Sequence, residues 1–319
     1  MYRRGLILIG LCFVIQAEAA PFAYVTNQGE HTVSVVDLAE NRVTATIPVG
    51  AAPVGVAVDP VKRRVYVSNV DGQSVSVIDT ATNQVTGEIA MDIAPVGIVL
   101  GKGGEQLLVA DWFHDRVMVF DTGNLKPAGQ IAIGAAPAGM VVSRDGTKLY
   151  VANRDSNDIG VIDMQSLKII GRIPVGKHPF GMSLSGDGRN LWVVNVESDS
   201  VSVIDTHRHV VAATIKVGEH PYCVVTSPDG SRAYVTNTGA DSVSVIDTLA
   251  HRVIATIPVG GFPEGIGYDA LHDRVYAASW MDNALSVIDA KTNQKSGSIP
   301  TGSQSRAFGQ FIGIPALAQ

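Results

Sequence analysis

The sequence predicts an all-β protein: a seven-bladed β-propeller of four-stranded antiparallel blades, closed by the C-terminal strand joining the N-terminal blade. Three observations predict it. The chain repeats every 42 residues, each repeat carries four short strand-forming runs, and the two ends are complementary fragments of one repeat.

The repeat is seen in the aspartates that end each "VID"-like element: Asp37, Asp79, Asp121, Asp163, Asp205, Asp247 and Asp289, each step being 42 residues. Pro53, Pro95, Pro137, Pro179, Pro221 and Pro263 keep the same step. Within 54–90, "VGVAVD", "RVYVSN", "SVSVID" and "QVTGEIA" read as strands A, B, C and D. Val, Ile, Tyr and Thr dominate these runs, and "DG" turns recur at 71–72, 145–146, 187–188 and 229–230. The strands are apolar on nearly every residue, which predicts sheets covered on both faces. The chain enters at "FAYVTN" (22–27), a strand B with no strand A before it, and finishes on "SRAFGQFIG" (305–313), which has strand A character. Joining the two closes the ring without an open edge, where a solenoid would need capped ends.

Residues 1–19 read as a cleavable export signal: Arg3 and Arg4, the apolar run "GLILIGLCFVI", then "AEA". Leu11 before Cys12 does not suit a lipoprotein signal. A single propeller domain is expected over 20–319, in the periplasm or secreted. Its one cysteine, Cys223, makes no internal disulfide. The chain carries a formal charge of −6; without the signal's Arg3, Arg4 and Glu18 it has 22 basic and 29 acidic side chains. No basic run stands out, which argues against nucleic acid as a partner. No later apolar stretch is long enough to span a bilayer. A monomer is expected.

The words "AYVTN" (23–27), "VYVSN" (65–69), "LYVAN" (149–153) and "AYVTN" (233–237), with "SVSVIDT" and "ATIPVG", resemble the signature of the YVTN-repeat, lactonase-like seven-bladed propellers. The resemblance covers essentially the whole mature chain. It implies the fold, and a function drawn from a mixed group: cell-surface proteins, periplasmic accessory proteins near quinone and haem enzymes, amine dehydrogenase subunits and lactonases. Fold alone does not choose among these.

Features present in every copy are expected to serve the blade. The seven aspartates are placed to accept hydrogen bonds from the turn after strand C. Asn27, Asn69, Asn153, Asn195 and Asn237 end strand B and read the same way. Gly55, Gly97, Gly139, Gly181 and Gly265 let backbones approach closely. Function is sought where copies differ. The residue before each proline is Ala52, Ala94 and Ala136, then His178, His220, Phe262 and, in the degenerate last copy, Gln304. The residue after it runs Val54, Val96, Ala138, Phe180, Tyr222, Glu264 and Arg306. Large or charged residues therefore fall on neighbouring blades 5, 6, 7 and 1. With Trp112, Arg154 and Trp280 from the B–C loops of the same face, they predict a binding rim of His178, Phe180, His220, Tyr222, Phe262, Glu264 and Arg306. Ordinary loop drift is the competing reading.

Chemical motifs are few. There is no "CxxCH" for covalent haem, no "GxSxG" elbow and no phosphate loop. Cys223 lies three residues from His220, a spacing that puts the two on opposite sides of a strand, so an inert buried thiol is expected. His178, His220 and Glu264 are the only set with metal-ligand chemistry, a two-histidine, one-carboxylate site for a divalent ion; otherwise no cofactor is expected. The reading is a non-catalytic binding or accessory module for a protein or small-molecule ligand. The alternative is a metal-dependent or redox-associated periplasmic enzyme or enzyme subunit, lactonase-like or quinoprotein- or haem-associated.

Overall fold

Runs of six or seven β-branched and aromatic residues between tight turns fold as strands, and four consecutive runs make each blade. The computed structural model describes residues 21–313; the expected signal, 1–19, lies outside them. In blade 2 the strands are A (Pro53–Asp59), B (Arg64–Asn69), C (Ser74–Asp79) and D (Gln84–Ala90). Every blade has this antiparallel A-B-C-D order. Among the described residues no helix is long and apolar enough to cross a membrane.

Strands B and C are buried along almost their whole length, as the continuous apolar runs require. Strand D departs from the expected pattern: Arg42–Pro48 and its counterparts are mostly exposed, with the alternation clear only in blades 1, 5 and 6, because D is the outer edge and has a neighbour on one side only. A bulge interrupts the C–D ladder at the same place in all seven blades, as between Val77 and Ile78. Bulges twist an edge strand away from pairing with another chain, so the repeat protects each outer edge in the same way.

The ring closes as expected, with one addition. Ile312–Gly313 pairs antiparallel with Phe22–Asn27 of blade 1, the Tyr24 N–H donates to Phe311 O at 2.9 Å, and Ser305 bridges Asn27. Between these points Phe308–Gln310 leaves blade 1 and runs parallel to strand A of blade 2. Gly309 makes the detour with φ +107, a region closed to other residues. The C-terminal strand thus bonds to both the blade it completes and the next one.

The repeated polar residues do structural work. Each strand-C aspartate caps its turn: Asp37 Oδ1 accepts from the Ala39 and Glu40 N–H groups, and Asp79, Asp121, Asp163, Asp205, Asp247 and Asp289 bond likewise. The strand-B asparagines do something different from what the sequence suggested. They are buried and cross-link strands: Asn69 Nδ2 donates to Ser74 and Ser76, while Asn153 Oδ1 accepts from the Gly134 N–H of the D–A loop. Blade 3 replaces this asparagine by Asp111, fully buried, and supplies Arg116 at 2.7 Å where Ser74 stands in blade 2. The buried carboxylate is thereby matched by a buried-side cation, as a low-dielectric site requires.

Inner strands meet closely at the axis. A Cβ on Gly97 would lie 2.0 Å from the Ala138 carbonyl of the next blade, and one on Gly139 would lie 2.2 Å from that of Phe180. Both contacts are with backbone, which cannot swing aside. Gly139→Ala should therefore lower stability by about 1–3 kcal/mol through overpacking. Gly297→Ala, on strand D with nothing within 4 Å of its Cβ, should be neutral or stabilising by about 0.4–1 kcal/mol. Urea denaturation of the two variants checks the contrast.

Candidate functional site

The D–A and B–C loops share one face, as the repeat implies: the Val70 and Gly72 N–H groups donate to Ala52 O and Ala51 O, and blades 1, 4, 5, 6 and 7 repeat this clasp. Except at Ala94 of blade 3, the residue before the proline is held in a left-handed conformation, with φ 53 at His178, 47 at His220 and 54 at Phe262. Its N–H is capped by the last B–C loop residue of the preceding blade: Asn157 for His178, Asp199 for His220, Asp241 for Phe262. The predicted arc then separates into two layers.

The residues before the prolines lean outward over the B–C loop of their own blade. His178 Nδ1 lies 2.9 Å from Glu197 Oε1. The His220 ring stands over Gly239, and the Phe262 ring packs on Trp280 at 6.1 Å between centroids. Trp280 in turn donates to Gln28 across to blade 1. Phe262, His220 and the neighbouring Met281 are exposed, and so is Phe113 beside Trp112. Phe113 and Met281 complete this outer layer. They lie in the B–C loops "DWFHDR" (111–116) and "SWMDNA" (279–284), where a comparison keyed to tryptophan passes over them.

The residues after the prolines turn inward instead, so they are not on the rim. Phe180 is only 6 % exposed and Glu264 1 %. Phe180 stacks against Tyr222 at 4.4 Å and against Phe308 at 5.0 Å, and Tyr222 meets Phe308 at 6.1 Å. These rings come from blades 5, 6 and 1. Val54 and Ala138, from blades 2 and 4, belong to the same buried cluster, with Val96 and Trp112 of blade 3 packed against it. Only the axis brings so many blades together, so this aromatic layer plugs the channel on the D–A loop side. Trp112 caps it edge-on to Phe180 at 6.0 Å, and the Arg154 guanidinium sits 5.4 Å above the Trp112 ring. Phe308 is the central ring, and the one residue whose role the repeat conceals: its counterparts are Val56, Ile98 and Val224, ordinary strand residues.

Glu264 and Arg306 form a bidentate ion pair within this layer, Nε to Oε2 at 2.5 Å and Nη2 to Oε1 at 2.6 Å. They occupy the same repeat position on blades 7 and 1, so the pair bolts the C-terminal strand to its neighbour. Burial pushes the Glu264 carboxyl above its usual range, and Arg306 pulls it back. Burial works against the charge of Arg306, and Glu264 more than restores it. This arrangement does not assemble the expected metal ligands. Glu264 is committed to Arg306, His178 faces Glu197, and His220 faces Gly239, so the two histidines and the carboxylate do not converge. Among the described residues no group of three His, Cys, Asp or Glu side chains is placed to hold an ion.

Cys223 is buried and unpaired, as the sequence reading expected. Burial, then the Glu264 charge, pushes its thiol well above the usual value, against the thiolate form. Its N–H donates to Thr236 Oγ1 at 3.0 Å, and that hydroxyl donates on to Glu264 O at 2.8 Å. Thr26 makes the same clamp from Ala307 to Val54, at the other copy that carries a Cβ in place of glycine.

Removing one half of the ion pair and removing both should differ in sign. Arg306→Ala leaves a buried carboxylate unpaired and should cost about 3–5 kcal/mol, whereas the apolar double replacement Glu264→Met, Arg306→Leu should be neutral or stabilising by about 1–4 kcal/mol. A double-mutant cycle in urea measures both.

Comparison with known proteins agrees with this architecture. Residues 122–212 match the family model described as lactonase, 7-bladed beta-propeller, and residues 182–274 match the YNCE-like beta-propeller. A 38-residue stretch is 60% identical to the PE-PGRS family protein PE_PGRS18 of Mycobacterium tuberculosis, but it spans 12% of this chain and 8% of that protein. A chain of Kuenenia stuttgartiensis hydrazine synthase superposes with a TM-score of 0.75 at 22% identity, over 88% of this chain and 99% of that one. A functionally unknown protein from Desulfotomaculum acetoxidans gives 0.76 at 14% identity, over 91% and 100%. Dihydro-heme d1 dehydrogenase NirN in complex with DHE gives 0.71 at 16%, over 93% and 76%. At such identities the likeness is one of fold. The seven closed blades show a seven-bladed β-propeller, and the two partial family matches, which together span 122–274, support a likeness to the lactonase and YNCE-like propellers.

Proposed function

We propose that the chain is an exported, non-catalytic docking module whose D–A and B–C loop face receives a protein partner. One observation carries the reading: Phe113 is 72% exposed, Met281 62% and Phe262 36%, all on the face where the channel itself is plugged. Large apolar side chains exposed on one face, beside half-buried tryptophans of blades 3 and 7, are what interface cores are made of.

Charge narrows the partner. The loops of this face carry ten carboxylates (Glu30, Asp71, Asp92, Asp115, Asp155, Glu197, Asp199, Glu219, Asp241 and Asp282) against two fixed cations, Arg154 and Lys177. The surface thus suits a protein whose apolar contact patch is ringed by lysine or arginine, with an encounter rate that falls as salt rises. The same charge disfavours nucleic acid. Export to the periplasm or beyond rests on the N-terminal Arg-Arg, apolar and "AEA" pattern.

A photo-crosslinking residue placed at Phe113 tests the face in the producing cell. A discrete adduct is expected there, weakened by high salt in washed cell extracts, and none from the same residue at Leu249. Leu249 is 93% exposed but lies in a C–D turn on the opposite face. Equal labelling from the two positions, or none from Phe113, would contradict the proposal.

A further inference from the structure

The aromatic plug closes only one end of the channel. Beyond Phe308 the axis opens into a cavity of about 530 Å³, bounded by the inner strands of blades 3 to 7 and by Phe308–Ile312. It reaches the A–B turns at Arg144, Pro228 and Ala270, all exposed, on the face opposite the docking loops. Its volume falls within the range of roughly 300–1,000 Å³ that holds small organic ligands.

We infer that this blind half-channel is a second site, separate from the docking face, for an amphipathic organic anion: an apolar body inside, with its anionic end at Arg144. Three observations fix that chemistry. The inner wall is apolar, built from Ile98, Met140, Met182, Val224 and Ile266 above the Phe308 floor. The inner strands of blades 3 to 7 are paired on one edge only, so the backbone N–H and C=O groups of the other edge face the axis. The protein itself satisfies several of them: Thr226 Oγ1 donates to Leu184 O at 2.9 Å, Ser68 to Val96 O at 2.9 Å, and Thr236 Oγ1 accepts from the Cys223 N–H at 3.0 Å. Those that no protein group reaches suit a partner with hydrogen-bonding atoms. Finally, Arg144 is the one charged side chain lining the cavity. Its Nε donates to Ser185 O at 3.4 Å, and no carboxylate lies within ion-pair distance among the described residues. No acid lines the cavity to repel an anion.

Two dyes with one skeleton test this: 1-anilinonaphthalene-8-sulfonate, and N-phenyl-1-naphthylamine, which lacks the sulfonate. Both should bind the full-length protein at one site with enhanced fluorescence. Arg144→Gln should weaken the sulfonate dye by about tenfold, the loss of one charge-assisted contact, and leave the neutral dye unchanged. Ser183→Phe, which fills the wall, should remove both. The triple variant Phe113→Ser, Phe262→Ser, Met281→Ser should remove neither, which separates this site from the docking face. Arg144 is exposed, so its variant reads the charge preference even where Ser183→Phe fails to fold. The inference is overturned if neither dye saturates at one equivalent, if Arg144→Gln weakens both dyes alike, or if the triple variant abolishes binding.

Discussion

Seven inner strands converge on one axis, and in five copies the spacing there leaves no room for a side chain between adjacent backbones. In those five the carbonyl of the next blade sits where a Cβ would stand, at 2.0 Å for Gly97 and 2.2 Å for Gly139. Much follows from that contact. It demands glycine at the crowded position in five of seven copies, and it fixes the directions of the residues on either side. The residue before the proline is forced out over its own B–C loop, and the residue after it is forced in toward the axis. The blades that carry small residues after the proline leave space, and the blades that carry Phe180, Tyr222, Glu264 and Arg306 fill it.

That division explains what the sequence could and could not reveal. The repeat made the blade count, the strand order and the ring closure legible, because periodicity and fragment ends are one-dimensional facts. Clustering of the altered copies on blades 5, 6, 7 and 1 was legible for the same reason. The direction of each side chain was not. Phe180 and Phe262 look alike in an alignment of copies, yet one is core and the other is surface, because two residues either side of a proline leave a left-handed turn in different directions. Nor could the sequence show that Glu264 meets Arg306: the two are one period apart, and nothing in a single chain marks an inter-blade pair. Phe308 was hidden by its modest counterparts, and the parallel detour at Gly309 required a backbone conformation that the composition alone does not announce.

The molecule that results has two unlike ends. One is acidic, studded with exposed apolar side chains and sealed at its centre by aromatic rings. The other opens into an apolar cavity whose only lining charge is cationic. Between them the buried Glu264–Arg306 pair and the Thr26 clamp hold the closing strand to its neighbours, and the Thr236 clamp joins blades 6 and 7. Among the described residues no group of three His, Cys, Asp or Glu side chains is placed to hold an ion at either end. A partner bound at the docking face would lie directly over the plug, and an occupant of the half-channel would press on Phe308 from beneath.

The account stands on the channel being blind. Water positions along the axis of a high-resolution crystal structure measure that most directly. Ordered water should fill the channel from the A–B turns as far as Phe308 and stop there, with Phe180, Tyr222 and Phe308 in contact and no water beyond them. A continuous water column running past these rings to the D–A loops would contradict it.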